Sequence, residues 1–507
     1  MRHENMFLAL VALLATMLMP SIQAANICGV CSCEGDTVNC TNHSLTHHFN
    51  ATDWPNITKG EQELKVALFD YNNLIHVRVF PELPLTHLSL SHNHIVKIDE
   101  CAFQNMTNLT ELDLSFNQLT SSLLSEDVFK GKYLPAEYEP LHSMRILKLG
   151  NNALHTLPNR IFIHLPNLEV LLLDKNEFSI IDRPTEISLS TLTNLNILDL
   201  SYNGLKFFPD TLLHTPRRLT TLLLEGNQLT TVPKGLSASH KLEHLTLSGN
   251  PIEVINVENG FPKLEFLKSL QLSYMDKLTR IEAGGLAKLT ALEEFHCNHN
   301  PKLKFIDPTA FSRREEGEES EQWPPLTKIW LNNNELEYLD SHLVARWDKL
   351  EILDIQVNPW MCDCENQWMV STLVKVIENK TPELARGIMC GQPEEMRASF
   401  ITDLEARNYQ MRCLDADGAH PERDSMLLVG VLVGVLLATP ITLAAVLLWL
   451  PSGKAVQATF TRSPMSNLGC KLYVKEIPEA RRLTSFYVFT SLRESPALTE
   501  VGANSSC

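Results

Sequence analysis

From Leu195 to Leu205 the chain reads LNILDLSYNGL, from Leu219 to Leu229 LTTLLLEGNQL, and from Leu242 to Ile252 LEHLTLSGNPI. All three share one frame, Leu-x-x-Leu-x-Leu-x-x-Asn-x-Leu. The frame also opens at Leu85, Leu109 and Leu168, and close variants open at Met144, Leu267, Leu292, Leu326 and Leu350. A degenerate first copy begins at Leu64. The spacing is mostly 23 to 27 residues. A constant period of this size marks an array in which each unit is one coil of a solenoid.

The second and third apolar positions of each copy lie two apart. That puts both on one side of a short strand, as with Leu222 and Leu224. One unit cannot bury that side alone, but stacked neighbours form a parallel sheet whose inward leucines make a continuous ribbon of core. The asparagine of the frame has a different task. The chain turns there, leaving backbone donors and acceptors outside any ladder, and an amide side chain serves both kinds. Asn152, Asn176, Asn203, Asn227, Asn250, Asn300, Asn334 and Asn358 are expected to stack as a buried rail. Met275 takes that place in the copy opening at Leu267 and serves neither kind, which predicts a local kink or a bound water. Two gaps are longer, 35 residues before Met144 and 34 before Leu326, and read as loop insertions. The second carries the acidic run from Arg313 to Gln322.

Cys28, Cys31, Cys33 and Cys40 cluster ahead of the array, and Cys362, Cys364, Cys390 and Cys413 follow it. In an exported chain such clusters are disulfide frameworks, whose pairing the spacing leaves open. A zinc site fits the spacing but not the export signal or the position at the ends of the array. Each end of a solenoid exposes a slice of core that needs a lid. Over about residues 28 to 413, frame and clusters together resemble the extracellular leucine-rich repeat family. The caps are similar to those of Toll receptors, Slit and the neuronal leucine-rich transmembrane proteins. The resemblance implies an α/β repeat fold, a leucine-rich repeat solenoid or horseshoe with a parallel concave sheet. It implies disulfides Cys28 to Cys33 and Cys31 to Cys40 in the amino-terminal cap. The stretch NPWMCDC from Asn358 to Cys364, with Trp368 beyond, looks like the family's other cap and implies Cys362 to Cys390 and Cys364 to Cys413. Cys297 falls on the third apolar place of its copy, which predicts a buried free thiol, and Cys101 falls on a turn.

Arg2, the apolar run from Met6 to Met19, Pro20 and a small-residue site ending at Ala24 read as a secretory signal. Asn42, Asn50, Asn56, Asn105, Asn108 and Asn379 head glycosylation sequons, which suits export. Asn39 and Asn504 also match, the first with Cys40 as its middle residue and the second expected in the cytosol. From Met426 to Leu450 run 25 uncharged residues, long enough for one helical span. Glu422 and Asp424 precede this run and Lys454 and Arg462 follow it, which places the tail in the cytosol. The 57 residues beyond it disfavour a lipid anchor. The expected organisation is a signal peptide 1–24, an amino-terminal cap 25–63, about 12 repeats over 64–358, a second cap 359–413, a stalk 414–425, a membrane helix 426–450 and a disordered tail 451–507. That tail is too short for a cytosolic signalling domain of Toll type. Of the formal charge of −17 the tail carries +3, so the exported part carries −20. An acidic exterior argues against nucleic acid or anionic membrane as its partner.

The residues flanking the inward leucines point out of the concave sheet. Neighbouring strands lie about 5 Å apart, so Ile146, Val170, Leu172, Ile197 and Leu223 are expected to merge into an apolar patch beside Asp174, Asp199 and Glu225. Such a patch suits a protein partner, although branched residues also simply favour strands. Tyr71, Phe116, Tyr202, Tyr274 and Trp330 are further outward aromatics, dispersed along the arc, with Trp330 the best single anchor. Packing beneath the acidic insertion is its structural alternative. His87, His92, His244, His296 and His299 also point outward and read as solvated side chains rather than a metal or pH site. No nucleophile with its base, phosphate-cradling glycine loop or H-E-x-x-H stands in the chain, so neither catalysis nor a cofactor is expected. The pattern points to a cell-surface receptor or adhesion protein that binds an extracellular protein ligand or co-receptor. The alternative is a tethered matrix-organising or innate-recognition co-receptor without signalling of its own.

Overall fold

The computed structural model describes residues 26–50, 52–54, 64–134, 137–313, 321–344, 349–413 and 421–449. The expected signal segment, Asn56, residues 314–320 of the acidic run, residues 414–420 of the stalk, and the tail lie outside the described residues.

One three-residue strand arises from each copy of the frame, twelve in all, from Val66–Leu68 to Ile352–Asp354. They lie side by side, parallel and in register, so that Leu147, Leu171, Leu198 and Leu222 form one inward row. Each of these is at most 1% exposed. At about 25 cal/mol per Å² of apolar surface removed from water, this ribbon is the main source of cohesion between coils. Ala67 opens the row and Phe295 and Ile329 interrupt its leucines, all of them buried.

The asparagines form the rail. The Asn117 amide donates to the carbonyls of Leu90 (3.0 Å) and Leu114 (3.1 Å) while its oxygen accepts the N–H of Ile95 (3.0 Å), so one side chain ties together adjacent coils. Asn152 makes the equivalent bonds from a less buried position. At Met275 the sheet runs on with no register shift on either side. The thioether is buried, and the Met275 N–H is accepted by Asn300 Oδ1 of the next coil at 2.8 Å. The expected kink is therefore absent from the ladder, because neighbouring coils hold the backbone that the missing amide leaves.

The residue just before each rail asparagine adopts a left-handed conformation, from Tyr71 (φ 56) through Phe116 and Tyr202 to Val357 (φ 53). Gly226 and Gly249 take it without strain. Opposite the sheet the coils close through turns, short two-residue strands and one α-helix of two turns, Arg183–Ser190, capped by the Asp182 carboxylate on the Thr185 N–H. Phe80, Phe103, Phe129 and Phe162 stack there as a buried spine with centroids 6.1 to 6.3 Å apart. His48 extends this spine toward the amino end, 4.3 Å from Phe80. Its Nε2 accepts the Arg78 N–H, and burial holds its pKa below the ordinary histidine value, so the ring is neutral.

The first insertion folds into an antiparallel hairpin, Lys132–Leu134 with Glu137–Glu139, and the second is closed at its base by a bridge between Arg313 and Gln322. At the amino end, the hairpin Ser32–Glu34 with Thr37–Asn39 pairs onto Val66–Leu68 and covers the edge of the sheet. Disulfides join Cys28 to Cys33 and Cys31 to Cys40 there, and Cys362 to Cys390 and Cys364 to Cys413 at the other end. Trp360 is fully buried and donates its indole N–H to the Ile355 carbonyl, while Trp368 donates to that of Leu339, pinning the second cap onto the last coils.

A separate helix, Pro421–Trp449, starts before the expected span and continues through Pro440. Proline cannot donate to the Leu436 carbonyl, and the Thr439 hydroxyl, 3.4 Å away, donates instead. Its segment Leu428–Val446, mean hydropathy 2.3, is long and apolar enough to cross a membrane.

Candidate functional site

Two outward rows cross the centre of the concave sheet. In the first, Ile146, Val170, Ile197 and Thr221 are neighbours on successive strands, and in the second Lys148, Leu172, Asp199 and Leu223 are. Ile146, Val170, Ile197 and Leu172 are thus brought together, each half-buried. Leu223 is not joined to Leu172, because Asp199 stands between them in register.

Charge frames this centre. On the amino side Lys148 reaches Glu111 at 2.7 Å and Asp113 at 3.6 Å. Burial works against its charge, but these two carboxylates win and raise its pKa. On the carboxy side stand Asp174, Asp199 and Glu225. Burial lifts the Asp174 pKa, helped by the neighbouring Asp199 charge, and burial likewise lifts that of Asp199. Gly150 makes room for Asp174, since a Cβ there would lie 2.2 Å from its Oδ1. The Tyr202 ring lies over Gly226 in the same way, and its hydroxyl donates to Glu225 at 2.6 Å, which pushes the phenol up to about 12. The Lys175 ammonium sits 5.9 Å from the Tyr202 ring.

The outward aromatics are not all dispersed. His92 is stacked between Tyr71 (4.2 Å) and Phe116 (4.0 Å), so three successive coils present one ladder of rings. His299 stacks on Tyr274 at 4.6 Å, and His296 on Trp330 at 3.9 Å and 10°. Each stack repeats one position of the frame on neighbouring coils: the left-handed residue before the asparagine place for Tyr71, His92 and Phe116 and for Tyr274 and His299, and the second outward place of the strand for His296 and Trp330. His87 lies 3.6 Å from Glu111, and His244 is exposed on its strand. Among the described residues no three His, Cys, Asp or Glu side chains group as metal ligands. Cys297 is buried and accepts from the Asn300 amide at 3.3 Å; Cys101 is partly buried, and both are free thiols.

Of the sequon asparagines, Asn42, Asn50, Asn108 and Asn379 are exposed. Asn105 is half-buried, and its amide donates to the Phe80 carbonyl at 2.9 Å. Residues 109–378 contain no sequon at all.

The Leucine rich repeat family model matches residues 84–131 and 193–252. Lumican of Rattus norvegicus is 31% identical over 258 residues, covering 48% of this chain and 72% of lumican. Podocan of Mus musculus is 30% identical over 229 residues, covering 42% of this chain and only 37% of podocan's length. Among solved structures, the crystal structure of the mouse RP105/MD-1 complex contains a chain 20% identical with a TM-score of 0.46, covering 67% of this chain and 58% of that one. The repeating frame, the twelve parallel strands with their asparagine rail, the disulfide caps and the likeness to lumican agree: this chain belongs to the extracellular leucine-rich repeat family.

Proposed function

We propose that the chain is a non-catalytic, single-pass cell-surface protein that captures an extracellular protein on the middle of its concave sheet. The observation that carries this reading is the continuity of Ile146, Val170 and Ile197 across three paired strands, half-buried and set between Lys148 with its carboxylates and the Asp174, Asp199, Glu225 group. An apolar centre with a charged margin is the ordinary anatomy of a protein interface. The sequon map supports the same region. All the sequons ahead of the membrane helix lie before residue 109 or at Asn379, so the central coils would be left without glycan. The helix Pro421–Trp449 supports the anchor, and the charge pattern around it supports a cytoplasmic tail.

The test uses the soluble fragment from Ala25 to Asp424, screened against a panel of secreted and cell-surface proteins. A double change, Val170→Asp with Ile197→Asp, is expected to weaken the binder found by at least about a hundredfold, as for the loss of an interface centre, with secretion unchanged. Undiminished binding by a normally secreted double variant rules this face out.

A further inference from the structure

Five strands along from this centre, the rows become polar and hold Trp330. In register, His296, Trp330 and Asp354 succeed one another on three strands, with Asn332 two residues beyond Trp330. His296 covers one side of the Trp330 ring, the planes only 10° apart. Burial holds the His296 pKa below its ordinary value, so the ring is a neutral support and does not compete for an anion. Asp354 accepts the Gln356 N–H at 3.1 Å through one oxygen and forms no ion pair among the described residues, although burial disfavours its charge. The neighbouring Lys328 is taken by Glu294 at 2.7 Å.

The Asn332 amide oxygen completes the group. It is buried and accepts no hydrogen bond, alone in this among the buried side-chain polar atoms of the described residues. Its counterpart one coil earlier, Asn298, is fully engaged, accepting from the Ser273 hydroxyl at 2.5 Å and meeting His299 Nδ1 at 2.8 Å. An unpaired amide oxygen ordinarily costs free energy, and a donor that turns it outward has no existing bond to break.

We infer that Trp330, Asn332 and Asp354 form a receptor for one arginine side chain of a protein partner. A guanidinium is planar, so it extends the His296–Trp330 stack as a third layer. Its rigid fork offers donors to two acceptors at once, the Asp354 carboxylate and the Asn332 oxygen. Lysine has no face to stack, and a neutral amide brings no charge to Asp354. The exported part, at −20, attracts such a partner at a distance. This assignment rests on the reading of the concave sheet as a protein-binding face, but a failure at Trp330 leaves the Val170 and Ile197 centre standing, because the two are tested with different variants and ligands.

The experiment uses the full chain in lipid nanodiscs and an immobilised biotinylated peptide carrying three arginines spaced by Gly-Ser. The same peptide with citrulline, a neutral isostere, is the reference. The arginine peptide is expected to bind at least about tenfold tighter than the citrulline peptide, as for a charge-assisted pair. Asp354→Asn keeps the acceptor for the Gln356 N–H, and it is expected to abolish that difference, as is Asn332→Leu to reduce it. Glu335→Gln removes the same charge from an exposed side chain of the coil that carries Trp330 and is expected to leave the difference intact. Equal weakening by Asp354→Asn and Glu335→Gln, or no preference for arginine over citrulline, overturns the assignment.

Discussion

Removing one amide from the rail tests the solenoid at its most specific point. Asn227 accepts the N–H groups of Asn203 (3.1 Å) and Leu205 (3.0 Å), and donates to the carbonyls of Leu200 (2.9 Å) and Leu224 (3.0 Å). Asn227→Ala loses them all, but not with equal effect. The Leu224 carbonyl still receives the Asn250 amide at 2.8 Å. Neither N–H group makes another hydrogen bond among the described residues, and buried donors tolerate orphaning least. At about 1 to 3 kcal/mol for each stranded group, the pair costs about 2 to 6 kcal/mol, with water entering the vacated space favouring the lower end. Urea unfolding of the exported part reads the loss, and amide exchange at Leu205 locates it. Gln228→Ala, one residue on and exposed, is the control and should stay within about 0.5 kcal/mol of the parent. If Asn227→Ala were as stable as that control, the rail would not be a structural element, and the physical account of the repeat would be wrong.

Burial raises the Asp199 pKa in the folded chain, so its ionised form opposes folding. Below the ordinary Asp range the proton is held in both states and nothing is lost; the cost grows as pH rises from that range through the raised value and is constant above it. Asp199→Asn retains an acceptor for the Ser201 N–H, so its melting temperature should exceed the parent's at pH 7 and converge with it in acid; an equal difference at both pH values refutes this. Burial pushes the Cys297 thiol far up and Cys101 less so, and mass spectrometry after iodoacetamide treatment of the folded chain should find Cys101 alkylated well before Cys297. Gly226→Ala places a methyl 2.3 Å from the Tyr202 ring at φ +63, and thermal unfolding should show a loss of about 1 to 2 kcal/mol, whereas an unchanged melt would mean the ring moves freely.

Much of the fold is legible in single residues. Leu222 and Leu224 announce a strand side by lying two apart, and Asn227 announces the turn because only an amide answers donors and acceptors together. The candidate site is legible in part. The frame names Ile146, Val170 and Ile197 as outward, but it says nothing of Asp199 standing between Leu172 and Leu223 until neighbouring strands are paired. The phenylalanine spine from Phe80 to Phe162 is not legible in the frame because the coil segments opposite the sheet vary in length, and periodicity fades where spacing varies. Met275 shows the converse: a residue that breaks the local rule need not bend the array, because coils on both sides hold it.

By itself the chain's text determined the repeat, its inward face, its capped ends and its apolar segment, since each follows from the order of residues along one coil. Contact between coils belongs to the tertiary structure alone. It stacked His92 between Tyr71 and Phe116, left the Asn332 oxygen without a donor beside Trp330, and set the carboxylates of Asp174 and Asp199 against each other. The stacked rings and the facing carboxylates lie 21 to 25 positions apart in sequence, and only stacking of coils brings side chains so separated within reach of one another.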